Sequence, residues 1–474
     1  MANVLNPDIC VIGGGAAGLS VAAGAAAFGV PVVLVERGRM GGDCLNFGCV
    51  PSKALIAAAK HAQAIRAAEE FGISAGEPLI DYERLQARVH AVIGEIAPHD
   101  SAERFESLGV KVIADAARFI DDRTVAVGDH LIRARRFVIA TGSSPAIPAI
   151  PGLSDTPYLT NETLFDLKRL PKHLVIVGAG PVGLEMAQAY RRLGARVTVV
   201  ESGKALSSDD PELVAIVLEA IRAEGIILHE ETAILSVERH AGGVRLHCEN
   251  AQGRFFIDGS DLLLAAGRAP NHASLDLDAA GIRHDAKGIA VGADLRTSNR
   301  RAYAIGDAAG GMQFTHVAGY HARLVLQQIL FRLPAREDRG IVPRVTFTDP
   351  ELAEVGPGEA EAREKFGRVD VVRWDFSAND RARTDGLGRG LIKITVTRRG
   401  RILGAAIAGA GAGEMINGFA FAVANRLTLK HFRGYVAPYP TLSEIGKQAS
   451  ISYYGPVARN PLVRSVIGML RYFG

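Results

Sequence analysis

The stretch Asp8-Ile9-Cys10-Val11-Ile12-Gly13-Gly14-Gly15-Ala16-Ala17-Gly18 decides the fold. A short apolar segment runs straight into three glycines, and an Ala-rich segment then continues to about Phe28. Val32 to Val35 reads as a second strand, closed by Glu36. The pattern is strand, glycine turn, helix, strand, a βαβ unit. Gly13, Gly15 and Gly18 fall in the GxGxxG spacing that lets such a unit hold a dinucleotide. Gly13 permits the tight turn, Gly15 lets backbone approach a pyrophosphate, and Gly18 lets helix and strand pack closely. The helix N-terminus offers N–H groups to the phosphates. Glu36 stands where an acid accepts hydrogen bonds from a ribose diol.

No residue from Ile9 to Val35 is charged, a run long enough to imitate a membrane-spanning helix. Gly13, Gly14, Gly15, Gly18 and Pro31 interrupt it, and no basic segment precedes it, so neither a span nor a signal peptide fits. Buried strands and a helix between layers do fit.

The pattern recurs. Leu174 to Val177 is an apolar run, Gly178-Ala179-Gly180-Pro181-Val182-Gly183 follows, and Val197 to Val200 ends at Glu201. One GxGxxG is weak evidence, whereas two complete units, each with its acid, are strong. Gly178, Gly180 and Gly183 thus predict a second dinucleotide site, and two sites predict two different cofactors. Three further segments read as strands beside a cofactor: Phe137–Gly142 and Leu262–Gly267, each ending in glycine, and Ala302–Asp307, ended by an acid. Pro145, Pro148 and Pro151 read as a linker. Beyond about residue 340, strands over 344–348 and 390–397 and a helix over 414–425 predict an α+β domain without a fingerprint.

Composition narrows the function. The 474 residues include 53 glycines with no collagen period, and the net charge is only +3. That balance argues against nucleic-acid binding driven by phosphate charge. Four cysteines exclude a disulfide-stapled scaffold. Their spacing gives no zinc site, so no metal is expected.

The most chemical segment is Gly41-Gly42-Asp43-Cys44-Leu45-Asn46-Phe47-Gly48-Cys49-Val50-Pro51-Ser52-Lys53. Cys44 and Cys49 follow closely on the first ribose acid and so fall near the first cofactor. A reversible disulfide there can take two electrons and pass them on by thiol–disulfide exchange. Lys53 supplies positive charge that favours a thiolate.

With these residues in hand, the chain resembles the flavin disulfide reductases of the dihydrolipoamide dehydrogenase, glutathione reductase and mercuric reductase group. The resemblance runs over essentially the whole length, and GGxCxxxGCVPSK is its most specific signature. It implies an α/β protein with two Rossmann-like domains and a C-terminal α+β dimerisation domain. FAD would bind residues 1–150 and 275–338, split by a nicotinamide domain at 151–274, with the interface domain at 339–474. Cys49 would lie against the flavin as the charge-transfer thiolate, and Cys44 would face substrate. Lys53 and Glu185 would pair near the reactive edge. Gly42, Ala117, Thr141, Gly142, Asp307 and Thr315 would line FAD with the first glycine loop, and Gly267 would contact the nicotinamide cofactor. The protein would be a homodimer with shared active sites, acting on a small-molecule acceptor, in the cytoplasm.

One departure matters. The family's His-Pro-Thr-x-Ser-Glu motif reads Tyr439-Pro440-Thr441-Leu442-Ser443-Glu444 here. A histidine of pKa about 6.5 shuttles protons near neutral pH. A tyrosine of pKa about 10 stays neutral and donates a hydrogen bond instead. Neither His316 nor His431 is placed beside Cys44 by the sequence. The expected activity is NADH-dependent reduction of the Cys44–Cys49 disulfide and then of a disulfide-type acceptor. The alternatives are a soft metal ion, as in mercuric reductase, or a redox-sensing or membrane-docked flavoprotein. Tyrosine in this setting resembles mercuric reductase, yet the adjacent cysteine pair which that family carries near its C-terminus is absent. Glu201 favours NADH, because a carboxylate repels the 2′-phosphate of NADPH; Lys204 is the counter-signal.

The tail from Asn460 to Gly474 places Leu462, Val466, Met469, Leu470 and Phe473 at helical spacing, with Arg464 and Arg471 elsewhere. Such a stripe predicts either packing within the protein or its dimer, or contact with a membrane surface or partner.

Overall fold

The computed structural model describes residues 3–473. The chain divides into two compact units: Met1–Gly178, Ala189–Ser202 and Glu231–Glu337 form one, and Ala179–Gln188, Gly203–Glu230 and Asp338–Gly474 the other.

In the first unit, β1 (Ile9–Ile12) has all four residues buried. It passes through the glycine turn into α1 (Ala16–Ala27), and β2 (Val32–Val35) returns parallel to it, Ile9 opposite Val32. α1 carries no charge in its first or last turn, as a helix enclosed on most sides requires. After α2 (Gly42–Asn46) and α3 (Cys49–Ala67), β3 (Lys111–Ile113) joins β2 and β4 (Arg136–Ile139) joins β1, both parallel. A parallel sheet is covered on both faces, which is why its strands read as unbroken apolar runs rather than alternating ones.

The second glycine pattern follows the same course. β5 (His173–Val177) leads to α4 (Pro181–Arg192), and β6 (Arg196–Val200) pairs parallel with β5, Val177 opposite Val200. β7 (Asp261–Leu264) lies on the other side of β5, also parallel. Between β6 and β7, a three-stranded antiparallel sheet at residues 233–259 buries Leu246, Cys248 and Ile257 against Val175, Val177 and Leu262. β8 (Ala302–Ala304) then pairs with β4 and completes a five-stranded sheet of order β8-β4-β1-β2-β3. The first sheet is thus interrupted in sequence by the second and finished afterwards. α5 (Thr315–Phe331) buries Ala318, Ala322 and Val325 in the same core as Leu19, Val21 and Ala22 of α1.

The strands expected to reach Gly142, Gly267 and Asp307 stop earlier, at Ile139, Leu264 and Ala304. The cause is local. Gly142, Gly267 and Gly306 take left-handed backbone, with φ of +68°, +117° and +60°. Their residues become loops at the C-terminal ends of parallel strands, where α/β sheets bind ligands.

In the second unit, β9 (Pro343–Thr346), β10 (Glu351–Val355), β11 (Val369–Asp375), β12 (Leu391–Thr397) and β13 (Ile402–Gly409) form an antiparallel sheet of order β9-β10-β13-β12-β11. α6 (Ala412–Ala424) and α7 (Glu444–Tyr453) share its core through Ile416, Phe419, Ile445 and Ala449. Two short helices follow, α8 (Gly455–Arg459) and α9 (Pro461–Leu470). Among the described residues no helix is long and apolar enough to cross a membrane.

One polar knot holds this unit together. Lys393 of β12 is buried, and its Nζ lies 2.6 Å from Asp210 Oδ2 and 2.9 Å from Glu212 Oε2. Arg373 ties Glu212 to Glu359. Removing the central cation leaves buried carboxylate charge uncompensated. We therefore expect Lys393→Met to destabilise this unit by about 3 kcal/mol, measured as a lower urea midpoint; an unchanged midpoint would mean the knot contributes no net stability.

Candidate redox site

Gly41 and Gly42 both take left-handed backbone, with φ of +85° and +59°. Gly41 N donates to Gly14 O at 2.9 Å, and Gly15 and Gly41 form a parallel bridge. A Cβ on Gly42 would stand 2.7 Å from the Cα of Gly15. The glycine turn and the cysteine segment are pressed together backbone to backbone. Only glycine at position 42 allows that approach.

Cys44 is the third residue of α2 and Cys49 the first of α3. Gly48 sits between the helices; a Cβ there would meet Asp43 Oδ2 at 2.8 Å and Cys44 Cα at 3.3 Å. The side-chain amide of Asn46 donates to Met40 O and Gly42 O and fixes the segment's shape. The two sulfurs are free thiols joined by a hydrogen bond, Cys49 exposed and Cys44 half-buried.

The pair divides its protons unequally. The hydrogen bond from Cys44 lowers the Cys49 thiol to about 6 against the opposing effect of burial, helped by Thr315 and by the charge of Lys53. The same bond, together with burial, pushes Cys44 up. Thr315 Oγ1, at the head of α5, lies 3.4 Å from Cys49 Sγ. Position adds to this, because a helix N-terminus favours a thiolate. Cys10 and Cys248 are buried, and burial pushes them up to about 12 and about 11, so they stay inert thiols.

The first glycine loop fits an FAD diphosphate. A Cβ on Gly13 would stand 2.4 Å from Ala140 O, and one on Gly18 would stand 1.9 Å from Gly13 O, so both must be glycine. Gly142 faces open space instead, as backbone does when it lines a ligand, and a Cβ on Gly15 would meet only Gly42 Cα, at 3.7 Å. Glu36 is held at the loop: Gly14 N and Gly38 N donate to its carboxylate at 2.5 and 2.6 Å. Thr141 Oγ1 donates to Asn271 O. Ala117 lies farther along, buried on the strand Ala117–Phe119 opposite Val127.

Asp307 is half-buried; burial raises its carboxyl above the usual range, while Ser143 Oγ donates to it at 2.5 Å. Arg268 reaches into the same cluster. Its Nε donates to Ser143 Oγ at 2.7 Å, its Nη2 lies 3.1 Å from Asp43 Oδ1, and its Nε lies 3.9 Å from Asp307. Asn161 also donates to Asp43 and to Phe47 O. Arg268, Ser143 and Asn161 were not singled out by the sequence. Arg268 follows the Leu262–Gly267 segment directly, and that adjacency was the available signal.

The second glycine loop is built like the first. Gly178, at φ +107°, would place a Cβ 2.4 Å from Ala265 O, repeating the Gly13–Ala140 contact. Gly180 faces open space, and Gly183 lies buried in the first turn of α4. Glu201 directly follows β6, and Ser202 Oγ donates to its carboxylate. Glu201 is the residue type that accepts hydrogen bonds from a ribose diol at the end of such a strand. Gly267 is equally open: a Cβ there would have no neighbour within 4 Å. Glu185, on α4, is buried and accepts a hydrogen bond from Phe347 N at 2.9 Å.

In the second unit, the hydroxyl of Tyr439 donates to Asp380 Oδ2 at 3.1 Å, and that carboxylate holds the phenol above its usual range. Glu444 opens α7, preceded by a turn in which Thr441 and Ser443 hydroxyls meet at 3.1 Å. His431 is occupied in capping, its Nδ1 3.0 Å from Thr428 Oγ1. His316 stacks on Phe314. Asp380 is a fourth residue that sequence reading missed; no motif marks it.

Two paired dinucleotide folds with a dithiol set against the first phosphate loop define a flavin disulfide reductase. Residues 7–322 match the pyridine nucleotide-disulphide oxidoreductase family, and residues 342–450 match its dimerisation domain. The chain belongs to this family, whose members use FAD and a pyridine nucleotide, and it is an enzyme of that class. It is 35% identical over 460 residues to mercuric reductase of Streptomyces lividans, covering 95% of this chain and 97% of that one. It is 36% identical over 467 residues to mercuric reductase of Shigella flexneri, covering 94% and 80%. Among solved structures it is similar to LpdA of Mycobacterium tuberculosis, with 28% identity, a TM-score of 0.87 and coverage of 95% and 99%. It is also similar to the Cu(II) complex of the HOCl-induced flavoprotein disulfide reductase RclA of Escherichia coli, with 28% identity, a TM-score of 0.84 and coverage of 93% and 98%.

Two outcomes test the site. Thr315→Val removes a donor to the Cys49 thiolate, so the pH midpoint of Cys49 alkylation should rise from about 6; an unmoved midpoint would remove Thr315 from the electrostatics. Gly42→Ala should lower retained FAD, measured by flavin absorbance per chain, because the added methyl collides with Gly15.

Proposed function

We propose that the protein is an NADH-dependent reductase whose Cys44–Cys49 pair delivers electrons to a thiophilic metal ion. Bound FAD supplies the two-electron carrier between the nicotinamide and the cysteine pair. Cys49 is the thiolate on the flavin side, stabilised by Cys44, Thr315 and Lys53. Cys44 is the outward thiol that meets the acceptor. Residues 1–150 and 275–338 would hold FAD, 151–274 the nicotinamide cofactor, and 339–474 the subunit interface.

The observation that carries the choice of acceptor is the Tyr439–Asp380 hydrogen bond. Reducing an organic disulfide releases a thiolate, which needs a proton donor working near neutral pH. A phenol held protonated by Asp380 is a poor one. Reducing a mercuric ion has no such need: the Cys49 thiolate binds it, Cys44 binds it and releases its proton to solvent, and the two sulfurs give the ion an electron pair as they close their disulfide, so no leaving group has to be protonated. The names of the S. lividans and S. flexneri relatives, and the Cu(II) complex of RclA, point the same way. In this reading Tyr439 and Glu444 of one protomer serve the cysteine pair of the other.

A second reading, an organic disulfide acceptor, rests on Pro440, Thr441, Ser443 and Glu444, which keep the rest of the family motif. NADH is preferred over NADPH because the Glu201 carboxylate disfavours a 2′-phosphate.

The test is anaerobic NADH reduction followed by a panel of mercuric ion, cupric ion, lipoamide and glutathione disulfide. We expect metal-dependent turnover to exceed disulfide turnover in the wild type. Tyr439→His should raise disulfide turnover by about tenfold or more. Faster wild-type turnover with lipoamide, or an unaltered profile in Tyr439→His, would sink the proposal. Glu201→Ala should narrow the preference for NADH in kcat/KM; a strong wild-type preference for NADPH would contradict the cofactor assignment.

A further inference from the structure

We propose that the C-terminal helices α8 and α9 dock this protein on an anionic lipid surface. α9 is a formed helix: Pro461 occupies its first turn, and the side chain of Asn460 accepts from Leu462 N at 2.9 Å. Yet none of its residues is buried. Leu462, Val466, Met469 and Leu470 fall on one side of it and Phe473 follows its end; Leu462 and Phe473 are 76% and 80% exposed. The stripe foreseen from the sequence therefore exists but does not pack on its own chain. Gly474 lies outside the described residues.

The charge pattern selects the occupant. Arg464 and Arg471 lie on the side of the helix opposite the apolar stripe, and Arg459 ends α8. No acidic residue follows Glu444, whereas Lys447, Arg459, Arg464 and Arg471 do. An amphipathic helix with basic residues on its polar face lies in a lipid interface, and negative headgroups attract the cations. Tyr472 is a residue type that settles at headgroup depth, and Phe473 one that inserts with the apolar face. A second copy of the same tail fits less well, because each arginine would meet like charge and no tail carboxylate could pair with it. The match to the family's dimerisation domain also ends at residue 450, before either helix begins. Arg464 Nε donates to Ala458 O at 3.0 Å, so the two helices are tied and present one surface.

The measurement is co-sedimentation of the full-length FAD-loaded protein with phosphatidylcholine vesicles, with and without phosphatidylglycerol. Oligomeric state and flavin content are recorded for every variant. The proposal predicts binding only to the anionic vesicles and weakening by salt. Leu470→Glu/Phe473→Glu should abolish binding, and Arg464→Gln/Arg471→Gln should reduce it by about tenfold or more. Subunit state and flavin content should not change. Absence of binding to anionic vesicles, equal binding to both vesicle types, or dissociation of the oligomer in Leu470→Glu/Phe473→Glu would overturn it, the last by making the stripe a subunit contact.

Discussion

The backbone contact between Gly15 and Gly42 is the constraint on which the redox site depends. Gly42 tolerates no side chain on the facing surface, since even a Cβ there would stand 2.7 Å from Gly15 Cα. Through that contact the first glycine turn fixes where the next helix begins. α2 then carries Cys44, and Gly48 lets α3 start close enough for Cys49 to share its hydrogen bond. Some of the 53 glycines serve such close backbone approaches, at the two glycine loops and again at the cysteines.

Proton sharing between the two sulfurs follows from their surroundings rather than from cysteine chemistry alone. Cys49 gains a donor from Cys44, a second from Thr315 and a nearby lysine charge, while for Cys44 the bond to Cys49 and burial outweigh what Thr315 offers it. Thr315 comes from the head of α5, far along the chain, and reaches Cys49 because the first sheet is completed only by β8. The split topology therefore has a chemical consequence: residues on both sides of the inserted segment build one thiolate site. Arg268 works similarly from the end of β7, joining Asp43 of the cysteine segment to Asp307.

Much of the fold was legible because its signals are local. Apolar runs ending in glycine or an acid marked β1, β2, β5 and β6 to within a residue, and the glycine spacing located both nucleotide loops. Strand ends at Ile139, Leu264 and Ala304 were misjudged, because apolar character continues past the point where left-handed glycines bend the chain away. Arg268, Asn161 and Asp380 were invisible for a different reason. Their partners Asp43 and Tyr439 are distant in sequence, and a single polar residue carries no period or motif. The tail lay between these cases: its stripe could be read, but whether anything in the chain covers it could not.

The central claim is that the first electron pair entering this protein comes to rest on Cys44 and Cys49. Anaerobic titration with NADH, followed by thiol labelling and peptide mapping of residues 41–53, tests it most directly. The account predicts that one equivalent exposes two new thiols in that peptide while the flavin absorbance stays largely oxidised. Bleaching of the flavin by the first equivalent, with no new thiols in residues 41–53, would contradict it.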